Sequence, residues 1–343
     1  KMGHERPAVW EALAELPSVY IPSLSSREGI SAQRIDVRQI TPAHSITLTP
    51  ETEFGDAFLI EIARGCSYRC YYCAMGHTNR PARFFTATQI LDVIQRYRSS
   101  IECVGLVSAV VSVHPEIEEM AWRIVNDGLR LTVASLRADA LPEGLITALA
   151  HGGARSITIA PETGTEQLRS AIGKPISDEE IYHAIALAER YGLQSVKLYF
   201  MLGLPSETDE DVQAISALVR GLVRSFANLR FNISIAPFVP KPHTPFQHIG
   251  MTPLTVLERR RKMLVESLSR CERTSVNVDS PRWAQVHALL SRGGRELSGV
   301  IERAVELGNS YGAWKRAVRE VLKTDIDALV TGANNNVRKL TYI

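Results

Sequence analysis

Apolar and polar positions change their period repeatedly between residues 57 and 236. Ala57-Phe58-Leu59-Ile60-Glu61-Ile62-Ala63 is a near-continuous apolar run, the pattern of a buried strand, and it leads directly into a loop holding Cys66. Beyond that loop the period turns helical. Ile90, Val93, Ile94 and Tyr97 share one face, and Thr86 with Gln89 forms a capping box ahead of them. The alternation then recurs. Residues 104–113 read as a strand continuing into a loop, 116–126 as a helix stopped by Gly128, and 129–136 as a strand. Pro142 opens a helix that Gly152-Gly153 ends, and 156–160 is the next strand. Ser177 and Glu180 cap a helix whose face is Ile181, Ala184, Ile185 and Ala188, with Gly192 past its end. Residues 196–202 (strand), 208–223 (helix) and 231–236 (a sixth strand) complete the series.

Six strand–helix units in about 200 residues imply a parallel sheet with helices outside it. Six falls short of the eight that close a (β/α)8 barrel, so the expected α/β architecture is a partial (β/α)6 TIM-type barrel. Its chemistry belongs at the carboxyl ends of the strands, where the Cys66 loop follows the first one. Residues 1–50 form an N-terminal connector, 51–250 the barrel, and 251–343 a mostly helical extension covering it. Within that extension Gly293-Gly294, Gly308 and Gly332 read as stops, and Trp283 and Trp314 as anchors onto the barrel.

Composition narrows the class without naming a reaction. The 343 residues are 45% hydrophobic and 22% charged, which is globular rather than disordered. With 39 basic against 37 acidic side chains, the net +2 argues against a nucleic-acid-coating protein. The Arg259-Arg260-Arg261-Lys262 run reads as a solvated helix face. The longest mostly apolar run, 103–113, is too short to span a bilayer, and no secretory leader is expected. A cytoplasmic, reducing setting follows, with no membrane partner. Charge is uneven, however. From Arg64 to Arg98 there are six arginines (64, 69, 80, 83, 96 and 98) and one acid, Asp92, a local net of +5.

That excess surrounds the most specific signal in the chain. Of five cysteines, three lie within eight residues, Cys66-Ser-Tyr-Arg-Cys70-Tyr-Tyr-Cys73, a C-x3-C-x2-C pattern. In a reducing compartment such crowding points to metal or redox chemistry. One reading is a zinc-stabilised nucleic-acid-binding module using Cys66, Cys70, Cys73 and His77. The other is an iron–sulfur cluster, one iron per thiolate, with a fourth iron left open to a non-protein ligand. A small zinc module needs no barrel around it, which favours iron. Cys103 and Cys271 stand alone and read as structural.

The three-cysteine loop at the head of a six-unit β/α series resembles the radical S-adenosylmethionine (SAM) superfamily, with Tyr72 filling the aromatic position before the last cysteine. The resemblance implies a [4Fe-4S] cluster on Cys66, Cys70 and Cys73, chelated by SAM. Reductive cleavage would then yield a 5′-deoxyadenosyl radical for hydrogen abstraction or methylation at an unreactive carbon, with flavodoxin or ferredoxin as electron donor. The 158–164 segment, Thr-Ile-Ala-Pro-Glu-Thr-Gly, is similar to the ribose-binding segment, with Glu162 as hydroxyl acceptor. Thr165 and Arg169 resemble the pair that holds the SAM carboxylate, and Ser135 and Arg137 a further polar contact. Leu202, beside Gly203, would wall the adenine, and 235–239, ending at Val239, would supply backbone against its edge. The Gly-Gly-Glu-like segment common at the second strand is replaced by Ser108-Ala109-Val110, whose carbonyls would meet the SAM amino group. A finer resemblance is to members with a cobalamin domain ahead of the barrel. The 19–24 and 241–247 segments look like the connectors entering and leaving the barrel, while Asp-x-His-x-x-Gly is absent, so either a domain outside this chain supplies cobalamin or this member works without it. Lys241 and His243, past the sixth strand, are candidates to face a substrate of unknown class.

Overall fold

The structure, a computed structural model, describes residues 6–21, 24, 33–52 and 54–332. Pro22 and Ser23 of the expected connector lie outside the described residues. Seven parallel strands form one series. The first three are β1 (Phe58–Glu61), β4 (Cys103–Val107) and β5 (Arg130–Val133), hydrogen-bonded in the order β1-β4-β5. The others are β6 (Ser156–Glu162), β7 (Ser195–Leu202), β8 (Arg230–Pro237) and β9 (Thr274–Val278), paired in chain order. A parallel bridge between Leu136 and Ile159, with the Leu136 amide 2.7 Å from the Thr158 carbonyl, joins the two groups. Short β2 (Ala63–Arg64) and β3 (Arg83–Phe84) pair antiparallel and close the base of the cysteine loop.

The series does not close on itself among the described residues. The free edge of β1 is covered by 43–45, where the Ser45 amide donates to Leu59 and the Glu61 amide to the Ala43 carbonyl (2.9 and 2.8 Å). The chain therefore builds an open, partial barrel of the six expected β/α units, extended at one edge by a seventh parallel strand, β9.

Local signals explain the elements. The capping boxes at Thr86/Gln89 and Ser177/Glu180 both form, opening the helices Ala87–Tyr97 and Asp178–Arg190. Thr208 and Asp211 form a third, opening Asp209–Ser225. Each box satisfies two amides that a helix start leaves without partners. Strand faces are set by burial. Along β7, Val196, Leu198, Phe200 and Leu202 are buried in the core while Lys197, Tyr199 and Met201 alternate on the half-buried face. Phe58, Phe85, Phe200 and Phe231 are essentially fully buried, and truncating any to Ala costs about 3–5 kcal/mol.

Two expectations change and two elements are added. The extension after residue 250 is mostly helical, as expected, but Thr274–Val278 adds β9 to the sheet by pairing with β8. Its polar alternation, Thr-Ser-Val-Asn-Val, hides a strand that among the described residues has a neighbour on one edge only. Trp283 is 42% exposed and lies outside the core, whereas Trp314 is buried and donates through Nε1 to Asn309 (2.9 Å). A short helix, Glu166–Ala171, intervenes between β6 and the next long helix. In the basic run, Arg260 is buried rather than solvated and pairs with Glu207 and Asp209. No helix among the described residues is long and apolar enough to cross a membrane.

Candidate metal and cofactor site

The cysteine loop leaves β2 through Gly65, at φ +87°, where a Cβ would sit 2.1 Å from the Asn79 carbonyl oxygen. Only glycine allows that approach. The loop packs onto the turn after the Glu166–Ala171 helix. The Tyr71 amide donates to the Ile172 carbonyl at 2.9 Å, and a Cβ on Gly173 would meet the Tyr71 ring and the Arg69 carbonyl near 3 Å. From the other side, Phe246 of the loop after β8 meets Tyr71 edge-on, their centroids 5.9 Å apart. A second small core of Leu168, Ile172, Leu204 and Phe238, with Tyr72 and Met201 against it, lies under this junction. The cysteines thus hang from the carboxyl ends of β1, β6, β7 and β8 together.

Cys66 and Cys70 are buried, Cys73 is half-buried, and all are free thiols. The Tyr68 amide lies 3.4 Å from Cys66 Sγ, and Arg137 Nη1 lies 3.7 Å from Cys70 Sγ. Burial pushes the Cys70 thiol above its usual range, while the Arg137 and Lys174 cations pull the other way. His77 donates from Nε2 to the Cys70 carbonyl at 3.0 Å, which ties its ring to the loop. Among the described residues, no three His, Cys, Asp or Glu side chains converge on a point where one ion would sit. A cluster that takes one iron per thiolate spreads its sulfurs wider than a single-ion site. The arrangement therefore gives the zinc module no support.

Glu162 ends β6 with φ +73°, which aims its carboxylate into this junction. Its Oε1 accepts from the Tyr72 hydroxyl (2.8 Å) and from Lys174 Nζ (2.7 Å), and Lys174 also donates to the Ala160 carbonyl at 2.6 Å. Burial, then the Glu162 charge, drives the Tyr72 phenol well above its ordinary range, so it stays a neutral donor. Lys174 is only 4% exposed and escaped the sequence reading. A lysine after Gly173 carries no local mark that separates it from a surface residue. At the carboxyl ends of the strands, Ser108 Oγ past β4 and Thr163 Oγ1 past β6 are buried without a partner among the described residues. Such orphaned hydroxyls suit a polar ligand.

The other expected SAM contacts scatter. Arg137 lies in the site, but its Nε and Nη2 are taken by Asp139 (2.9 and 2.7 Å). Ser135 is exposed just past β5. Thr165 caps the Glu166–Ala171 helix and donates to Asp211 at 2.5 Å. Arg169 is wholly buried and spends its fork on the Thr163 and Ile176 carbonyls and on Asp178. That side chain clamps the turn around Lys174, with its Nε, Nη1 and Nη2 each engaged by a protein acceptor. Leu202 points into the core, so Met201 is the β7 side chain turned toward Tyr72. Val239 is half-buried against the main core. Lys241 is half-buried with its amine pushed below the usual range by burial, and His243 adopts φ +62° beside it.

The donor set fits the cluster and SAM in kind: three soft thiols, flanking cations, an oriented carboxylate and orphaned hydroxyls. The match to a family model agrees. Residues 60–219 match the family model described as the radical SAM superfamily. An uncharacterized protein of Methanocaldococcus jannaschii, MJ0966, is 31% identical over 254 residues, covering 74% of this chain and 55% of that protein. An uncharacterized methyltransferase of Pyrococcus horikoshii, PH0819, is 22% identical over 174 residues, covering 49% of this chain and 38% of its own length. The chain thus spans about half or less of these curated relatives. Among solved structures, the radical SAM methyltransferase TsrM of Kitasatospora setae is 18% identical with a TM-score of 0.46, covering 55% of this chain and 38% of TsrM. Residues 60–219, which hold the three-cysteine loop, thus match the radical SAM superfamily at the level of a domain.

Proposed function

We infer that this chain is the catalytic barrel of a radical SAM enzyme acting on an unreactive carbon. The observation that carries it is the three-thiol loop seated against the Tyr72–Glu162–Lys174 group at the strand ends. When bound, a [4Fe-4S] cluster with SAM supplies a 5′-deoxyadenosyl radical after one-electron reduction. Cys66, Cys70 and Cys73 would hold the cluster. Glu162 would accept from the ribose hydroxyls, held in place by the Lys174 cation and the neutral Tyr72 hydroxyl. Ser108 and Thr163 offer their orphaned hydroxyls to the same ligand, and Met201 gives it an apolar wall. Thr165 and Arg169 act one step back, by fixing the β6 turn. The 241–247 loop, with Lys241 and His243, supports a substrate-facing role because it packs on the cysteine loop. A flavodoxin- or ferredoxin-type donor would deliver the electron. The name of the Pyrococcus relative leans the outcome toward methyl transfer, which would draw on cobalamin from a domain outside this chain.

Anaerobic reconstitution tests the reading. The protein should bind about four irons with matching sulfide. With a strong reductant and SAM it should release 5′-deoxyadenosine. The triple replacement of Cys66, Cys70 and Cys73 by Ala should lose both. Retention of iron by that variant, or one zinc without sulfide in the parent, would overturn it.

A further inference from the structure

Arg137 is a guanidinium held from three sides. It is only 6% exposed, and Asp139 takes Nε and Nη2 in a two-point fork at 2.9 and 2.7 Å. Its charged carbon lies 3.6 Å from the centroid of the Tyr68 ring, at stacking distance. Those two contacts leave Nη1 as the outward nitrogen, and it lies 3.7 Å from Cys70 Sγ. A fork–carboxylate pair is geometrically specific and a ring face restricts tilt, so the guanidinium has little freedom to turn away. Lys174 differs. Its ammonium is spent on Glu162 and the Ala160 carbonyl. Among the described residues, Cys70 is the one cluster-loop sulfur with a side-chain donor in hydrogen-bonding range, while Cys66 receives only the Tyr68 amide.

We propose that Arg137 is a positioning and tuning residue that acts through the Cys70 sulfur and raises the reduction potential of the cluster. The proposal rests on the cluster reading above, and it reassigns Arg137 from SAM contact to the cluster's own surroundings. Hydrogen bonds to sulfur, local charge and solvent exposure are the protein's levers on such potentials. Reduction adds one electron, spread over iron and sulfur, so an N–H aimed at a ligating sulfur stabilises the reduced form more than the oxidised one. Asp139 offsets the cation at longer range, which leaves the directed N–H as the short-range contribution. Arg137→Met removes donor and charge. Arg137→Lys keeps a charge but loses the fork that aims it.

Redox titration of the reconstituted protein, without SAM and followed by the reduced-cluster spectrum, reads this directly. At a fixed solution potential, R137M should show a reduced-to-oxidised ratio about tenfold lower than the parent, a midpoint about 59 mV more negative for a one-electron couple. R137K should fall between the two. Iron and sulfide content identify which claim fails. Variants that hold a full cluster with an unmoved midpoint overturn the role of Arg137 while leaving the cluster reading intact. A parent protein that holds no iron overturns both. If R137M assembles no cluster, R137K decides: a midpoint equal to that of the parent overturns the role, and a negative shift supports it.

Discussion

Glu162 and Glu207 make a natural experiment in burying a carboxylate. Both follow adjacent parallel strands, Glu162 ending β6 and Glu207 lying five residues past β7, and both contact a cation buried beside them. Glu162 meets Lys174 at 2.7 Å and Tyr72 at 2.8 Å, on the side of the cysteine loop. Glu207 accepts from the Gly203 amide at 2.6 Å and from Arg260 at 2.8 Å, but its Oε1 is buried with no partner. Burial outweighs those contacts and pushes its carboxyl up to about 7. The lesson concerns where charge is wanted. At the β6 end two donors converge on one carboxylate oxygen and hold it toward a ligand. At the β7 end a similar group locks a turn onto the Leu254–Leu268 helix, and its ionisation works against the fold.

Breaking the first pair should have the largest effect. Lys174→Met leaves Glu162 charged, largely buried and short of its counter-ion, and should cost about 4 kcal/mol. Urea denaturation of the metal-free protein measures it, and the added Glu162→Gln change should restore much of the loss. A drop below about 1 kcal/mol would show that the pair is not what holds this corner.

The second effect is a pH dependence of opposite origin. The unfolded chain releases the Glu207 proton near 4.5, and the folded chain keeps it to about 7. Between those values the folded state binds more proton, so this group lowers stability as pH rises through the window. At about 1.36 kcal/mol for each pKa unit, the total is a little over 3 kcal/mol. Stability measured from pH 4.5 to 8 should show a fall that Glu207→Gln flattens. Equal slopes in both proteins would refute the assignment.

The smallest effect links the two corners. Thr165 caps the helix after β6 and also donates to Asp211 in the helix after β7. Thr165→Ala should cost about 1 kcal/mol, and Thr165→Ser much less. A thermal-unfolding comparison suffices, and similar losses in Ala and Ser would mean the methyl, not the hydroxyl, matters.

How much of this was legible depended on whether the cause was local. The capping boxes at Thr86 and Ser177 were readable because both partners lie three residues apart and serve the same helix start. The strand–helix alternation was readable because core-facing residues repeat with the period of their element. The cysteine loop was readable from spacing alone. By contrast, β9 was hidden because an edge strand needs few apolar residues, and the exposure of Trp283 depends on which helix face meets a neighbour. The occupied fork of Arg169 and the importance of Lys174 could not be read, since their partners come from turns that only packing brings together.

Sequence by itself thus determined the alternation of the six β/α units and the three thiols, because periodicity, caps and spacing act within a few residues. Only the tertiary structure decided what each buried charge does. Arg169 became a clamp, Lys174 a counter-ion and Arg137 a neighbour of sulfur, because partners from 2 to 67 residues away fill their donors. A side chain's chemistry is written in its identity, but its use is set by whichever groups desolvation leaves within its reach.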